Sequence, residues 1–375
     1  MKVVIAIDSF KGSLTSMEAG NAAKEGVLKA RDADVVVKPL ADGGEGTTEA
    51  LVEGLGGTYI EAAVTGPLGG SVTARYGVME DGKTAVMEMA QAAGITLIDR
   101  KSLNPWKAST TGVGEMIKDA AGRGCREFII GIGGSATTEG GIGMLQALGW
   151  AFYGAAGEIL PPVYDSLGKI ERISDENVPE VLRECHFQIA CDVANPLCGE
   201  NGAIYVYGPQ KGVEQQEKHT MDEVMLHYAK KAADYAGKDY EYTPGAGAAG
   251  GLGFAFLSFL PNVELKSGIS IVLDAIGLEQ ELVDADIVIT GEGRLDAQTA
   301  MGKAPVGVAH LAKKYNCKVV AFAGSVTDNA VKCNEKGIDA FFPIVRGVTT
   351  LDEAMDTETA KRNMTLTVEQ VFRLF

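Results

Sequence analysis

The chain has 375 residues, 46% of them apolar, and a formal net charge of −16. Domains cluster at roughly 100–200 residues, so this length predicts two. The acidity, without a basic cluster, excludes a nucleic-acid binder, whose phosphate contacts need a basic face, and points to a cytoplasmic protein. No stretch supplies the ~20 apolar residues of a membrane span. The most apolar one, residues 245–260, is glycine-rich and stops at Pro261. The start, MKVVIAIDSF, reads as a strand and not as a signal peptide. Six cysteines without a C-x-x-C pair argue for buried free thiols over zinc ligation or a disulfide framework.

The first elements alternate strand and helix. Residues 3–8 form a β-branched run. After a polar loop, Thr15 and Glu18 have capping-box spacing and open a helix to about Ala30. Residues 34–40 are a second strand, and the glycine loop 41–46 leads into a second helix. The middle reads differently. Residues 71–79 and 84–90 are strands joined at Asp81-Gly82, a hairpin signal. Residues 127–131 and 187–192 are later strands with helices between them. Alternation then returns: 286–290, 318–323 and 339–345 are strands, and a last helix covers about 356–374. This predicts an α/β domain with a parallel sheet built from both chain ends, 1–66 and 283–375. A second α/β domain of mixed sheet, 67–282, is inserted in it.

The 48 glycines cluster just after strands, where ligands bind in open α/β sheets. Four such loops belong to the end-to-end domain: DSFKGS (8–13), PLADGGEGT (39–47), GEGRLD (291–296) and AGS (323–325). They offer Asp8, Lys11, Asp42, Glu45, Arg294 and Asp296, a mixture suited to an anionic substrate and a metal ion. Ordinary turns with solvated charges are the plain alternative. The insert adds GIGGSATTEGG (131–141), after an apolar strand and before a helical segment. Close glycines let N–H groups approach phosphate, a helix N-terminus favours negative charge, and Ser135, Thr137 and Thr138 add hydroxyls. The run CDVANPLCG (191–199) puts Asp192 at a strand end, as metal ligand, base or simple turn cap. The run GAGAAGGLG (245–253) opens an apolar helix.

Two motif matches mislead. Residues 77–84 fit the P-loop pattern, but their turn joins two strands, whereas a P-loop joins a strand to a helix. Gly131, Gly133 and Ala136 fit a dinucleotide fingerprint, yet Glu158 lies too far on for its acidic partner. An NAD-dependent hydroxy-acid dehydrogenase is therefore a weak rival. A non-catalytic hydroxy-acid sensor, the other rival, has no use for a phosphate loop in a second domain.

The runs DSFKGSL, PLADGGEGT, TGPLG, EMAQAAGI, IGGSATTEGGIGML, CDVANPLCGENGA, GAGAAGGLG and TGEGRLDAQTAMGKAP occur in one order. Together they resemble the bacterial glycerate kinase family of the first type, from Val3 to at least Pro343. The resemblance implies a flavodoxin-like domain carrying an inserted α/β domain. It also implies ATP-dependent phosphorylation of D-glycerate, usually to 2-phosphoglycerate, with 3-phosphoglycerate made by some relatives. In the mechanism expected from these residues, Gly133, Gly134, Ser135, Thr137 and Thr138 hold ATP phosphates. Mg2+ bridges phosphates and a carboxylate, Asp192 being the candidate. Lys11, Asp42 and Arg294 bind glycerate, and Asp296 or Asp192, with Asp42 third, accepts the hydroxyl proton. Neither nucleic acid nor membrane is an expected partner, and homo-oligomerisation is left open.

Overall fold

The computed structural model describes residues Met1–Phe375. Its strands, in chain order, are β1 (Lys2–Ile7), β2 (Asp34–Pro39), β3 (Gly57–Thr65), β4 (Ser71–Met79), β5 (Thr84–Glu88), β6 (Glu127–Gly131), β7 (Ala151–Tyr153), β8 (Arg172–Ser174), β9 (His186–Ala190), β10 (Val263–Lys266), β11 (Ile287–Leu295), β12 (Lys318–Val326) and β13 (Ala340–Pro343). Two units share them: residues 1–56 with 269–375, and residues 57–268.

In the first unit all five strands run parallel, in the order β13-β12-β11-β1-β2. Counted within this unit the order is 2-1-3-4-5, the flavodoxin-like winding, whose direction reverses between β1 and β11. The central strands are apolar on both faces: Val3, Val4, Ile5, Val288 and Ile289 are all fully buried, as helices on both sides of the sheet require. The helix Ser16–Ala30 begins in the capping box that the spacing predicts. Glu18 N–H donates to the Thr15 hydroxyl while the Glu18 carboxylate accepts from Thr15 N–H. This helix packs on the terminal helix Thr357–Phe372. Gly26 permits the contact, since a Cβ there would lie 2.5 Å from the Thr365 carbonyl oxygen.

β11 departs from the sequence reading, which ends it at residue 290. It continues to Leu295 because β12 continues beside it, with Glu292 opposite Ala323 and Arg294 opposite Ser325. Glycines make the extension feasible: a Cβ at Gly291 would lie 2.0 Å from the Phe322 carbonyl oxygen, and one at Gly324 2.6 Å from that of Gly293.

The second unit holds a six-stranded mixed sheet, β10-β9-β6-β5-β4-β3, and a small β7–β8 sheet. β3, β4 and β5 are antiparallel neighbours; β5, β6, β9 and β10 are parallel. β3 pairs along its whole length with β4, which places the first boundary at Gly56–Gly57, upstream of the expected 66/67. The return boundary precedes Ile269, whose side chain packs on Gly307 in the helix Ala304–Lys314 of the first unit.

The P-loop look-alike is a hairpin turn. Asp81 accepts from the N–H groups of Lys83 and Thr84, and Gly82 takes φ +64° between antiparallel β4 and β5. Lys83 is exposed. The substitution Lys83→Ala should leave the ATP KM unchanged and move stability by no more than about 0.5 kcal/mol. Loss of activity by orders of magnitude in folded Lys83→Ala protein would instead mark a nucleotide site at this turn.

Candidate active site

At the carboxyl ends of the first unit's strands lies a cleft of about 470 Å³. Ligand sites are expected there, and the β1–β11 reversal is where they concentrate. Asp8 follows β1, Asp42 follows β2, Glu292 and Arg294 project from the extended end of β11, and Asp296 comes just after it. Lys11 and Lys303 also line the cleft, and Phe10, Ile344, Leu351 and Met355 give it an apolar wall.

The carboxylates are held differently. Asp8 is only 8% exposed and accepts from Ser9 N–H at 2.6 Å. Burial, with Asp42 and Glu292 nearby, pushes its carboxyl up to about 7 against the opposing effects of that hydrogen bond and Lys11. Burial also raises Glu292, opposed first by the Thr299 hydroxyl, which donates to it at 2.5 Å, and then by Lys303. Asp42 accepts from Gly44 N–H at 2.9 Å. Asp296 uses Oδ1 to accept from Gln298 N–H at 2.8 Å, and its Oδ2 lies 3.7 Å from Arg294 Nε. The Arg294 side chain remains 66% exposed. Cations that bind a carboxylate and a buried carboxyl that titrates near neutrality thus share one cleft.

The structure places Asp8, Lys11, Asp42, Arg294 and Asp296 of the sequence-derived loops in one cleft, and adds Glu292 and Lys303. Glu45 is exposed and lies outside the cleft's lining. Asp192 belongs to the other unit, where it is exposed and accepts from Gly268 N–H at 2.9 Å.

In the second unit, Gly133 and Gly134 are exposed just beyond β6. Gly134 has φ +73°, a conformation that favours glycine. The loop is pinned at both sides: Ile95 N–H donates to the Gly134 carbonyl, and Ala136 N–H to that of Ala93. The N–H groups of Gly133, Gly134 and Ser135 donate to no backbone carbonyl. Successive free N–H groups in a turn with one left-handed residue form an anion-binding nest.

Two expectations about this loop change. Thr137 and Thr138 are fully buried, and the Thr138 hydroxyl donates to the Pro105 carbonyl at 2.7 Å, so neither side chain is presented to a ligand. The following helix, Ile142–Ala147, is short, and its entrance is already occupied: the Glu139 carboxyl group, pushed up by burial, accepts from Gly141 and Gly143 N–H. Of the five residues expected at the phosphates, this leaves exposed Gly133 and Gly134 and the adjoining Ser135, whose N–H groups have no backbone acceptor. The glycines of the 245–253 run support the loop from behind. A Cβ at Gly250 would lie 2.1 Å from the Thr137 carbonyl oxygen, and Gly140 N–H donates to the Gly250 carbonyl. Glu158, the fingerprint acid, sits beyond β7, which pairs with β8 and not with β6.

An anion nest and a charged cleft of small-molecule size, each at the strand ends of an α/β unit, are the equipment of a kinase acting on a small metabolite. Comparison with known proteins bears this out, and the chain is an enzyme of that class. It belongs to the glycerate kinase family, whose model matches residues 3–375. It is 44% identical over 375 residues to a glycerate kinase of Haemophilus influenzae, covering 100% of this chain and 98% of that one. To the glycerate 2-kinase of Escherichia coli K12 it is 45% identical, over 94% of this chain and 93% of that one. A solved structure assigned as glycerate kinase 2 from Salmonella typhimurium LT2 superposes with a TM-score of 0.91 at 42% identity, covering 100% of this chain and 98% of that chain.

Proposed function

We propose that the protein transfers the γ-phosphoryl group of ATP to D-glycerate, giving 2-phosphoglycerate. The observation that carries the reading is the cleft at the β1–β11 reversal, where exposed Lys11 and Arg294 face buried Asp8. A three-carbon hydroxy acid uses both halves of this arrangement. Its carboxylate pairs with Arg294 and Lys11, Asp42 accepts from one hydroxyl, and the reacting hydroxyl gives its proton to a carboxylate.

Asp8 is the base in this account, being buried and poised near neutral pH. Asp296, the first candidate from sequence, lies in the same cleft but has one oxygen in its own turn and the other facing Arg294. It orients that guanidinium.

ATP phosphates bind the Gly133–Gly134–Ser135 nest. Mg2+ bound with the nucleotide would neutralise phosphate charge there. Magnesium commonly keeps phosphate oxygens and waters alongside one or two carboxylates. Asp192 supplies such a carboxylate, two residues beyond β9, the neighbour of β6. No helix is long and apolar enough to cross a membrane.

The test is ADP formation with MgATP, which should require D-glycerate. Rapid turnover of another hydroxy acid, without turnover of glycerate, would refute the substrate. Coupling through enolase, with and without a phosphoglycerate mutase, identifies the phosphorylated position. Arg294→Ala should raise the glycerate KM about 10–100-fold, the worth of a charge-assisted hydrogen bond, and leave the ATP KM unchanged. An unchanged glycerate KM would remove Arg294 from the carboxylate site.

A further inference from the structure

The nest lacks what usually makes such loops attractive to phosphate. The helix entrance behind it is occupied by Glu139. Yet the second unit buries one lysine completely. Lys211 is 1% exposed, and its ammonium donates to the Ser135 hydroxyl at 2.5 Å and to the Thr137 carbonyl at 2.7 Å. A charge is costly to bury unless it is paired or used. The acidic group that acts on it is Glu139, itself fully buried. That carboxylate is already engaged by Thr110 N–H at 2.8 Å, the Thr110 hydroxyl, and the N–H groups of Gly141 and Gly143. An ammonium has three protons, and the protein supplies Lys211 with two acceptors.

We propose that Lys211 is a positioning residue of the nucleotide step: tied to Ser135 and Thr137, it fixes the Gly133–Ser135 turn and sets a buried positive charge behind it to complement the triphosphate. The proposal rests on the reading of that turn as the phosphate site. Burial lowers the Lys211 ammonium to about 7, against the opposing pull of Glu139. Glu139, which faces it, is itself pushed up by burial against its hydrogen bonds from Thr110, Gly141 and Gly143, and Ser135 and Thr137 do not titrate in this range. A polyanion bound at the turn favours the protonated lysine, so nucleotide binding should draw a proton into the protein.

Lys211→Met keeps the length of the side chain and removes the charge. The expected result is an ATP KM raised about 10–100-fold with little change in the glycerate KM. MgATP binding measured calorimetrically at pH 8, in buffers of different ionisation enthalpy, should show proton uptake in the wild type and none in Lys211→Met. If that variant does not fold, the same titration in Asp8→Asn decides, because Asp8 then contributes no proton. Uptake supports the proposal, and its absence overturns it. Folded Lys211→Met with wild-type ATP affinity also overturns it. Gly134→Val separates the two readings. If it loses ATP affinity while Lys211→Met does not, the phosphate turn stands and the lysine role falls. If neither loses affinity, the turn itself is misassigned.

Discussion

Replacing Asp8 by asparagine should lower kcat by about 10²–10⁴ while changing the ATP KM little. Asparagine is nearly isosteric and can still accept from Ser9 N–H, but it cannot take up a proton. In the wild type the active form is the carboxylate, so kcat/KM should rise with pH through about 7 and then level off. The variant should lose that limb. Its stability should move the other way. A carboxyl raised from about 3.9 when unfolded to near 7 when folded binds more protons in the folded state between those values. Asp8 therefore contributes stability that is complete below the unfolded value and is lost as pH rises through the folded one. At pH 8 the buried charge is a burden, and Asp8→Asn should melt at a higher temperature than the wild type. An inactive variant with a raised Tm cannot be dismissed as misfolded. Activity within a few-fold of wild type would remove Asp8 from the base role, and Asp296→Asn should then carry the loss.

Gly134→Val should raise the ATP KM by about 100-fold or more, without weakening glycerate binding. A β-branched residue is a steric outlier at φ +73°, and relaxing that strain turns the nest's N–H groups away from one another. The new Cβ would meet only that of Ala90, at 3.4 Å, so the effect comes from the backbone and not from crowding. Normal ATP affinity with weakened glycerate binding would exchange the two assignments and move the nucleotide to the flavodoxin-like unit.

Much of this was legible in the sequence where the controlling interactions are local. The capping box at Thr15 and Glu18 and the Asp81-Gly82 hairpin turn each involve side chains within three residues of their partners. Strand-end loops could be named because a parallel sheet puts its loops at known edges, so Lys11, Asp42, Arg294 and Asp296 were found together. What was missed depends on burial and on strands distant in sequence. Asp8 was visible as a loop carboxylate, but its altered acidity comes first from burial and then from Asp42 and Glu292, which other strands deliver. The hydroxyls of Thr137 and Thr138 look like phosphate donors in a one-dimensional motif, and packing buries both. Lys211 lies far down the chain from the loop it supports and carries no motif of its own. Continuation of β11 past residue 290 follows from glycines facing another strand, a relation that no window of one strand reveals.

Amide hydrogen exchange on the wild-type protein tests the central claim, that acid and nucleotide bind at these two places, most directly. D-glycerate alone should protect peptides covering residues 8–13 and 291–296 and leave 131–139 unchanged. A non-hydrolysable ATP analogue with Mg2+ should protect 131–139 and leave the cleft peptides unchanged. Protection of the cleft by the nucleotide analogue, with residues 131–139 exchanging at their free rate, would contradict the account.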